Sequence, residues 1–200
     1  GKYYAIPADG MPVDGEYRTG PGEKLIEVIN DAAGGAKIIA EDLGITTPEA
    51  KNLLVKSGYP GMKVLEYAFD SRISNGFLPH TYNQNCVVYS GTHDNETLLG
   101  FFNSLSEESL QYLMDYTGSK DTLELAKNVI TLAYESAADT VIIQMQNIHM
   151  KDNKARMNLP STIGRNWRWR LKKDEFNDGV VEGLRKLTDV YGRTNNLVVN

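Results

Sequence analysis

The chain is poor in cysteine, in histidine and in long apolar runs. A single cysteine, Cys86, stands in 200 residues, so no disulfide framework can form within the chain and no CxxC metal spacing exists. Cys86 precedes a β-branched run and reads as a small packed residue. No apolar run approaches the roughly 20 residues that a membrane-spanning helix needs. The opening Gly1-Lys2-Tyr3-Tyr4 lacks the pattern of a secretory leader. No membrane partner and a cytoplasmic location are therefore expected. The histidines are His80, His93 and His149, isolated from one another, whereas zinc or a 2-His-1-carboxylate site wants several together. No metal and no organic cofactor are expected. The net charge is −5, and no basic stripe is present to neutralise phosphates, which argues against a nucleic-acid partner. The one basic cluster, Arg165–Lys173, is short and interleaved with Trp167 and Trp169. A Gly-x-Ser-x-Gly elbow is missing. The Gly20-Pro21-Gly22-Glu23-Lys24 stretch lacks both the preceding strand and the Gly-Lys-Ser/Thr ending of a phosphate loop.

What is present is an alternation of short strands and helices. Gly20-Pro21-Gly22 opens a helix over Glu23–Asn30, and Gly34-Gly35 closes it. Lys37–Ala40 reads as a strand. Thr46-Thr47-Pro48 then starts a helix to about Ser57, with Thr47 as N-cap and Pro48 in the first helical position. Gly58-Tyr59-Pro60-Gly61 is a turn. Met62–Phe69 reads as the second strand, 70–85 as a long loop, and Val87–Ser90 as the third strand. Helices are expected from Asn95 to about Leu105, from Ser106 as a cap, and from Asp121-Thr122 to about Ala138. Thr140–Met145 is the fourth strand and 146–166 a loop. A last helix is expected over Lys173–Tyr191, with Asn195–Asn200 trailing out. Strands alternating with helices imply parallel β/α units, hence an α/β fold. Four such units make half of a (β/α)8 barrel or an open sheet with helices on both faces, and periodicity does not separate the two.

Two strands end in acids. Ile38-Ile39-Ala40 leads into Glu41-Asp42, and Val87-Val88-Tyr89-Ser90 leads into Gly91-Thr92-His93-Asp94-Asn95. Parallel barrels present catalytic groups at the C-terminal ends of their strands. Carboxylates placed there suit sugar chemistry, because glycosidic bonds break through an oxocarbenium-like transition state. Each feature also has a plainer reading. Glu41-Asp42 could be a helix cap or solvated turn, and His93 a hydrogen-bonded structural histidine. Trp167 and Trp169 could form a face for a sugar ring, although a buried core pair is the more economical reading.

Longer words carry a resemblance. They are Ile39-Ala40-Glu41-Asp42-Leu43-Gly44, Pro60-Gly61-Met62-Lys63-Val64-Leu65 with Tyr67-Ala68-Phe69, and Leu78-Pro79-His80. Val88-Tyr89-Ser90-Gly91-Thr92-His93-Asp94-Asn95-Glu96-Thr97, Arg156-Met157-Asn158-Leu159-Pro160-Ser161-Thr162 and Asn166-Trp167-Arg168-Trp169-Arg170 follow in order. The chain resembles the C-terminal portion of the 4-α-glucanotransferases, also called amylomaltases or disproportionating enzymes.

The resemblance implies a retaining transglycosylase on a (β/α)8 barrel. Such an enzyme cuts an α-1,4-glucan, holds one part covalently, and passes it to the 4-hydroxyl of glucose or another glucan. By position in the motifs, Glu41 is the expected general acid/base, and Asp94 the carboxylate that binds sugar hydroxyls and stabilises the transition state. His93 and Tyr67 are expected to contact the sugar, and Asn158 and Pro160 to lie in a loop covering the site. The expected partners are α-1,4-glucans and maltooligosaccharides. A general acid works best when partly buried beside another carboxylate. The family's nucleophile lies in an Arg-x-Asp motif on the strand before the acid/base strand, and no such motif precedes Ile38. Residues 1–200 are thus expected to form the C-terminal half of the catalytic barrel, about four β/α units, inactive alone. A half-barrel that only scaffolds or binds glucan is the non-enzymatic alternative. A half-barrel would expose strand edges at Lys37–Ala40 and Thr140–Met145, so self-association is expected.

Overall fold

The computed structural model describes residues 2–44, 47–70 and 76–194, and the chain divides into two compact units, Gly1–Met62 and Lys63–Asn200. Among the described residues no helix is long and apolar enough to cross a membrane.

The first unit opens with a hairpin where the sequence reading assigns no element. β1 (Lys2–Ala5) and β2 (Glu16–Thr19) pair antiparallel, with Tyr4 opposite Tyr17. Their rings meet edge-on at 5.0 Å, a cross-strand contact of the kind that stabilises a two-stranded ribbon. Tyr4 Oη donates to the Pro12 carbonyl at 2.9 Å and ties down the connection. α1 (Glu23–Ala33) runs past the expected Asn30, until Gly34 takes a left-handed φ of 56°. α2 (Pro48–Ser57) starts as expected: Thr47 Oγ1 accepts the Ala50 N–H at 3.2 Å. Thr46, the other threonine of that start, lies outside the described residues.

The expected strand Lys37–Ala40 does not form, and the reason is local. Ala40 N–H donates to the Pro60 carbonyl at 3.0 Å, the first rung of a parallel ladder. The next rung would send the Met62 N–H to the Ala40 carbonyl. That N–H goes instead to Asp42 Oδ1 at 2.7 Å. A carboxylate has replaced a carbonyl, and the ladder stops after one bond.

Most of the second expected strand is also shorter. β3 (Gly61–Val64) gives way at once to a helical turn, α3 (Leu65–Ala68). Residues 71–75 of the following loop lie outside the described residues, and Pro79–Thr81 forms a 3-10 turn. β4 (Cys86–Tyr89) matches the third expected strand, and Cys86 is buried. α4 (Leu98–Ser104) starts later than Asn95 because Thr97 caps it, its Oγ1 accepting from Gly100 N–H. α5 (Glu107–Thr117) begins at the expected cap, Ser106, and α6 (Thr122–Glu135) opens where expected, with Asp121 as its cap. α6 ends before Ala138 because Arg193 closes it, donating to the carbonyls of Tyr134, Ser136 and Ala138 at 2.7–2.8 Å. β5 (Thr140–Ile142) is cut short by a turn of helix, α7 (Met145–Ile148). The last helix, α8 (Asp178–Val190), starts at the Asn177 cap rather than at Lys173. Asn195–Asn200 lie outside the described residues.

The sheet of the second unit has the order β3-β4-β5, and β4 and β5 run parallel with Val88 opposite Val141. Its three strands replace the four expected. Val88, Leu98, Phe102, Leu113, Leu125 and Val129 form the heart of a core between this sheet and α4–α6. Burying each such side chain stabilises by roughly 1.5–3 kcal/mol. Parallel pairing sends β4 and β5 to end at one edge of the sheet, and that edge carries the acid signature.

Candidate functional site

The turn after β4 is built by its own side chains. Asn95 Oδ1 accepts from the N–H of Thr92 at 2.8 Å and from its hydroxyl at 2.7 Å. Asn95 N–H returns to the Thr92 carbonyl at 3.1 Å. Such a side-chain turn fixes the backbone without help from a sheet. From the end of β5, Gln144 Nε2 donates to the Thr92 carbonyl and links the two strand ends. Beneath lies Asn147, 1% exposed, which accepts from Leu98 N–H at 2.9 Å and donates to Ser90 Oγ at 2.9 Å. A single buried amide thus clamps the end of β4 to the start of α4.

His93 and Asp94 project from this turn, each about half exposed, with His93 Nε2 3.3 Å from Asp94 Oδ1. Asn158 Nδ2 donates to the same Oδ1 at 2.6 Å, and Asn158 N–H donates to the His93 carbonyl at 3.0 Å. Arg156 completes the clasp through Nη2 to the Asp94 carbonyl at 2.6 Å and Nε to the Asn158 carbonyl at 2.9 Å. Asp94 Oδ2 accepts no hydrogen bond from the described residues. One carboxylate oxygen is therefore oriented by protein groups and the other is open to hydroxyl donors. The ring of Trp167 lies 5.0 Å from that of His93. Trp167 is 54% exposed, which overturns the reading of Trp167 and Trp169 as a buried core pair. Its backbone N–H donates to the Met157 carbonyl at 2.7 Å.

Of the expected site residues, the second unit thus brings together His93, Asp94 and Asn158. Pro160 is exposed in the loop just beyond Asn158, and that loop is folded around Asn166, whose Oδ1 accepts the Leu159 N–H at 3.0 Å. Tyr67 sits in α3, half-buried and edge-on to Phe77 at 5.4 Å, with no ring contact or hydrogen bond to His93 or Asp94. Glu41 belongs to the first unit. There the adjacent acids differ. Asp42 is committed to the Met62 N–H and packs so closely on Gly61 that a Cβ there would lie 2.7 Å from its Oδ2. Glu41 is exposed, without a hydrogen bond among the described residues, and lines a concavity with Ile26, Leu43, Leu54 and Tyr59. Among the described residues, Glu41 lacks the partial burial expected of a general acid.

Sequence reading left Gln144, Asn147 and Arg156 without a role. Arg156 and Asn158 stand in one motif word with alternate spacing, which is a usable signal. Nothing local marks Asn147, since its partners are set by the packing of α7 on β4 and α4.

The chain as a whole is similar to known proteins. The glycoside hydrolase 77 model, described as 4-alpha-glucanotransferase, matches residues 1–175. The 4-alpha-glucanotransferase of Streptococcus pneumoniae is 38% identical over 200 residues, covering 99% of this chain and 40% of that protein. The Synechocystis 4-alpha-glucanotransferase is 40% identical over 194 residues, covering 96% of this chain and 38% of that protein. The amylomaltase of Streptococcus agalactiae, solved in complex with acarbose, superposes with a TM-score of 0.89 at 34% identity, over 97% of this chain and 40% of that one. The chain spans about two-fifths of the length of these relatives. Because the family match runs over residues 1–175, from the first unit through the Asp94 turn, this chain belongs to the 4-alpha-glucanotransferase family.

Proposed function

We propose that this chain is the C-terminal half of the catalytic barrel of a retaining 4-α-glucanotransferase that moves α-1,4-glucan segments to the 4-hydroxyl of glucose or of another glucan. The observation that carries this reading is Asp94, held at a parallel strand end by Asn158 and Arg156 with one oxygen left open. In the proposed mechanism that oxygen receives a sugar hydroxyl, in a hydrogen bond that strengthens as positive charge develops on the ring. His93 contacts the same sugar, and Tyr67 offers an aromatic contact. Asn158 and Pro160 cover the site, whose closure excludes water and favours transfer over hydrolysis. Glu41 is the general acid/base. It protonates the leaving glucan oxygen and then deprotonates the acceptor hydroxyl. Its exposure here means that the burial this role needs comes from elsewhere in a longer protein. The nucleophile also comes from there, because the chain contains no Arg-x-Asp.

The test is maltotriose redistribution. The isolated chain should leave maltotriose unchanged, since without a nucleophile the covalent intermediate is forfeited. A longer protein containing the upstream half should convert it to glucose and longer oligosaccharides, and Glu41→Gln or Asp94→Asn should abolish that. A longer protein inert toward maltotriose and maltooligosaccharides would overturn the reading. Robust turnover by the isolated chain, lost in Glu41→Gln, would overturn the assignment of a missing nucleophile. The outer edge of β5, unpaired among the described residues, should recruit a second copy. Sedimentation of a monomer at micromolar concentration would remove self-association from the proposal.

A further inference from the structure

Glu66 is a buried acid that the proposed mechanism does not use. It lies in α3 directly after β3, is 4% exposed, and its Oε1 has no hydrogen-bond partner. It faces Gly91, the first residue of the turn that carries Asp94. A Cβ at position 91 would lie 2.4 Å from Glu66 Oε1, so glycine is needed there for close approach rather than for backbone freedom. The charged groups that act on Glu66 are Glu96, which opposes its ionisation, and Arg156, which favours it. Arg156 is the residue that holds the carbonyls of Asp94 and Asn158, and its Nη1 lies 3.9 Å from Glu96. Glu96 in turn accepts from Asn153 Nδ2 at 2.7 Å and Ser104 Oγ at 2.8 Å.

We propose that Glu66 is a positioning residue for the Asp94 turn, acting through its contact with Gly91 and through its influence on Arg156. As a neutral acid it packs against Gly91 and leaves Arg156 on the two carbonyls. As a buried anion it competes for the guanidinium and loosens the clasp around Asp94. Burial, and then Glu96, push its pKa well above the ordinary carboxylate range, with Arg156 opposing. A raised pKa in the folded state means that the folded chain binds this proton more tightly than the unfolded one. The stabilisation is complete below the unfolded value and is lost as pH rises through the folded value.

The test uses no glucan, so it stands or fails apart from the transferase reading. In the 15N-labelled chain, the Arg156 Nε–H and the Asn158 side-chain amide should shift together with pH, with a midpoint above the ordinary carboxylate range. Glu66→Gln keeps the shape but not the charge. It should remove that common titration, leave the low-pH spectrum of Arg156 and Asn158 in place, and flatten the decline of thermal stability at higher pH. Gly91→Ala, which drives a methyl into Oε1, should displace the same two signals at every pH. A titration unchanged in Glu66→Gln would overturn the proposal. So would a variant that alters only the melting temperature while Arg156 and Asn158 titrate as before, or a Gly91→Ala spectrum unchanged at both residues.

Discussion

The two units of this chain are stabilised differently. Among the described residues, no apolar side chain of the first unit is buried, and Val28 and Val55 on its helices are 63% and 79% exposed. It is held by a tyrosine pair across a hairpin, helix caps, and surface contacts such as Lys56–Glu23 and Tyr59–Asn30. The second unit has Leu65, Leu113 and Leu125 at 0% exposure and a buried polar clamp in Asn147. The candidate catalytic groups follow the same division. Glu41 stands exposed on the lightly covered unit, whereas Asp94 is fixed by a network rooted in the core. A carboxylate that must be held in one orientation needs support beneath it, and for Asp94 the core of the second unit supplies it.

Several measurements would break or sharpen this contrast. The largest expected effect is at Leu125→Ala, which should cost about 2–5 kcal/mol in urea unfolding through lost transfer energy and a cavity. Val28→Ala on α1 should stay within about 0.5 kcal/mol, as an exposed change does. Equal losses at the two positions would mean that the first unit has a core of its own. Next, Asn147→Ala should cost about 1–3 kcal/mol, because it leaves the buried Leu98 N–H and Ser90 hydroxyl unsatisfied. It should also perturb the Thr92–Asn95 amides in NMR, and an undisturbed turn would refute the clamp. Thr47→Ala should weaken α2 by about 1 kcal/mol, read by amide exchange across 48–57. The smallest effect is expected at Lys56→Ala, about 0–1 kcal/mol and vanishing in high salt, as exposed ion pairs behave. Native-state exchange should rank the units directly, with α6 amides protected far longer than those of α1 and α2.

The element order was largely legible before the structure. Thr47, Ser106 and Asp121 announce α2, α5 and α6, because an N-cap acts within one turn of its own chain. Some departures are local, as where Thr97 and Asn177 cap α4 and α8, and others come from a distant group. Arg193 closes α6 from 55–59 residues away. Asp42, beside the lost strand at Ala40, takes the N–H of Met62, 20 residues further along the chain. The hairpin at the start has little local signal, because what marks it is the pairing of Tyr4 with Tyr17 across the two strands.

The site divides along the same line. Sequence words sufficed to pick out Glu41, His93, Asp94, Asn158 and the tryptophans as chemical candidates, because residue type and motif order are properties of the chain itself. Which acid of the Glu41-Asp42 pair is free, whether Trp167 is buried, and which amide orients Asp94 were decided by packing alone. Asn158 meets Asp94 across 64 residues of sequence, and Asn147 meets Ser90 across 57. No local rule reaches that far. A hydrogen bond between such residues exists only after the parallel strands have brought their ends to one edge and the core beneath has fixed the distance.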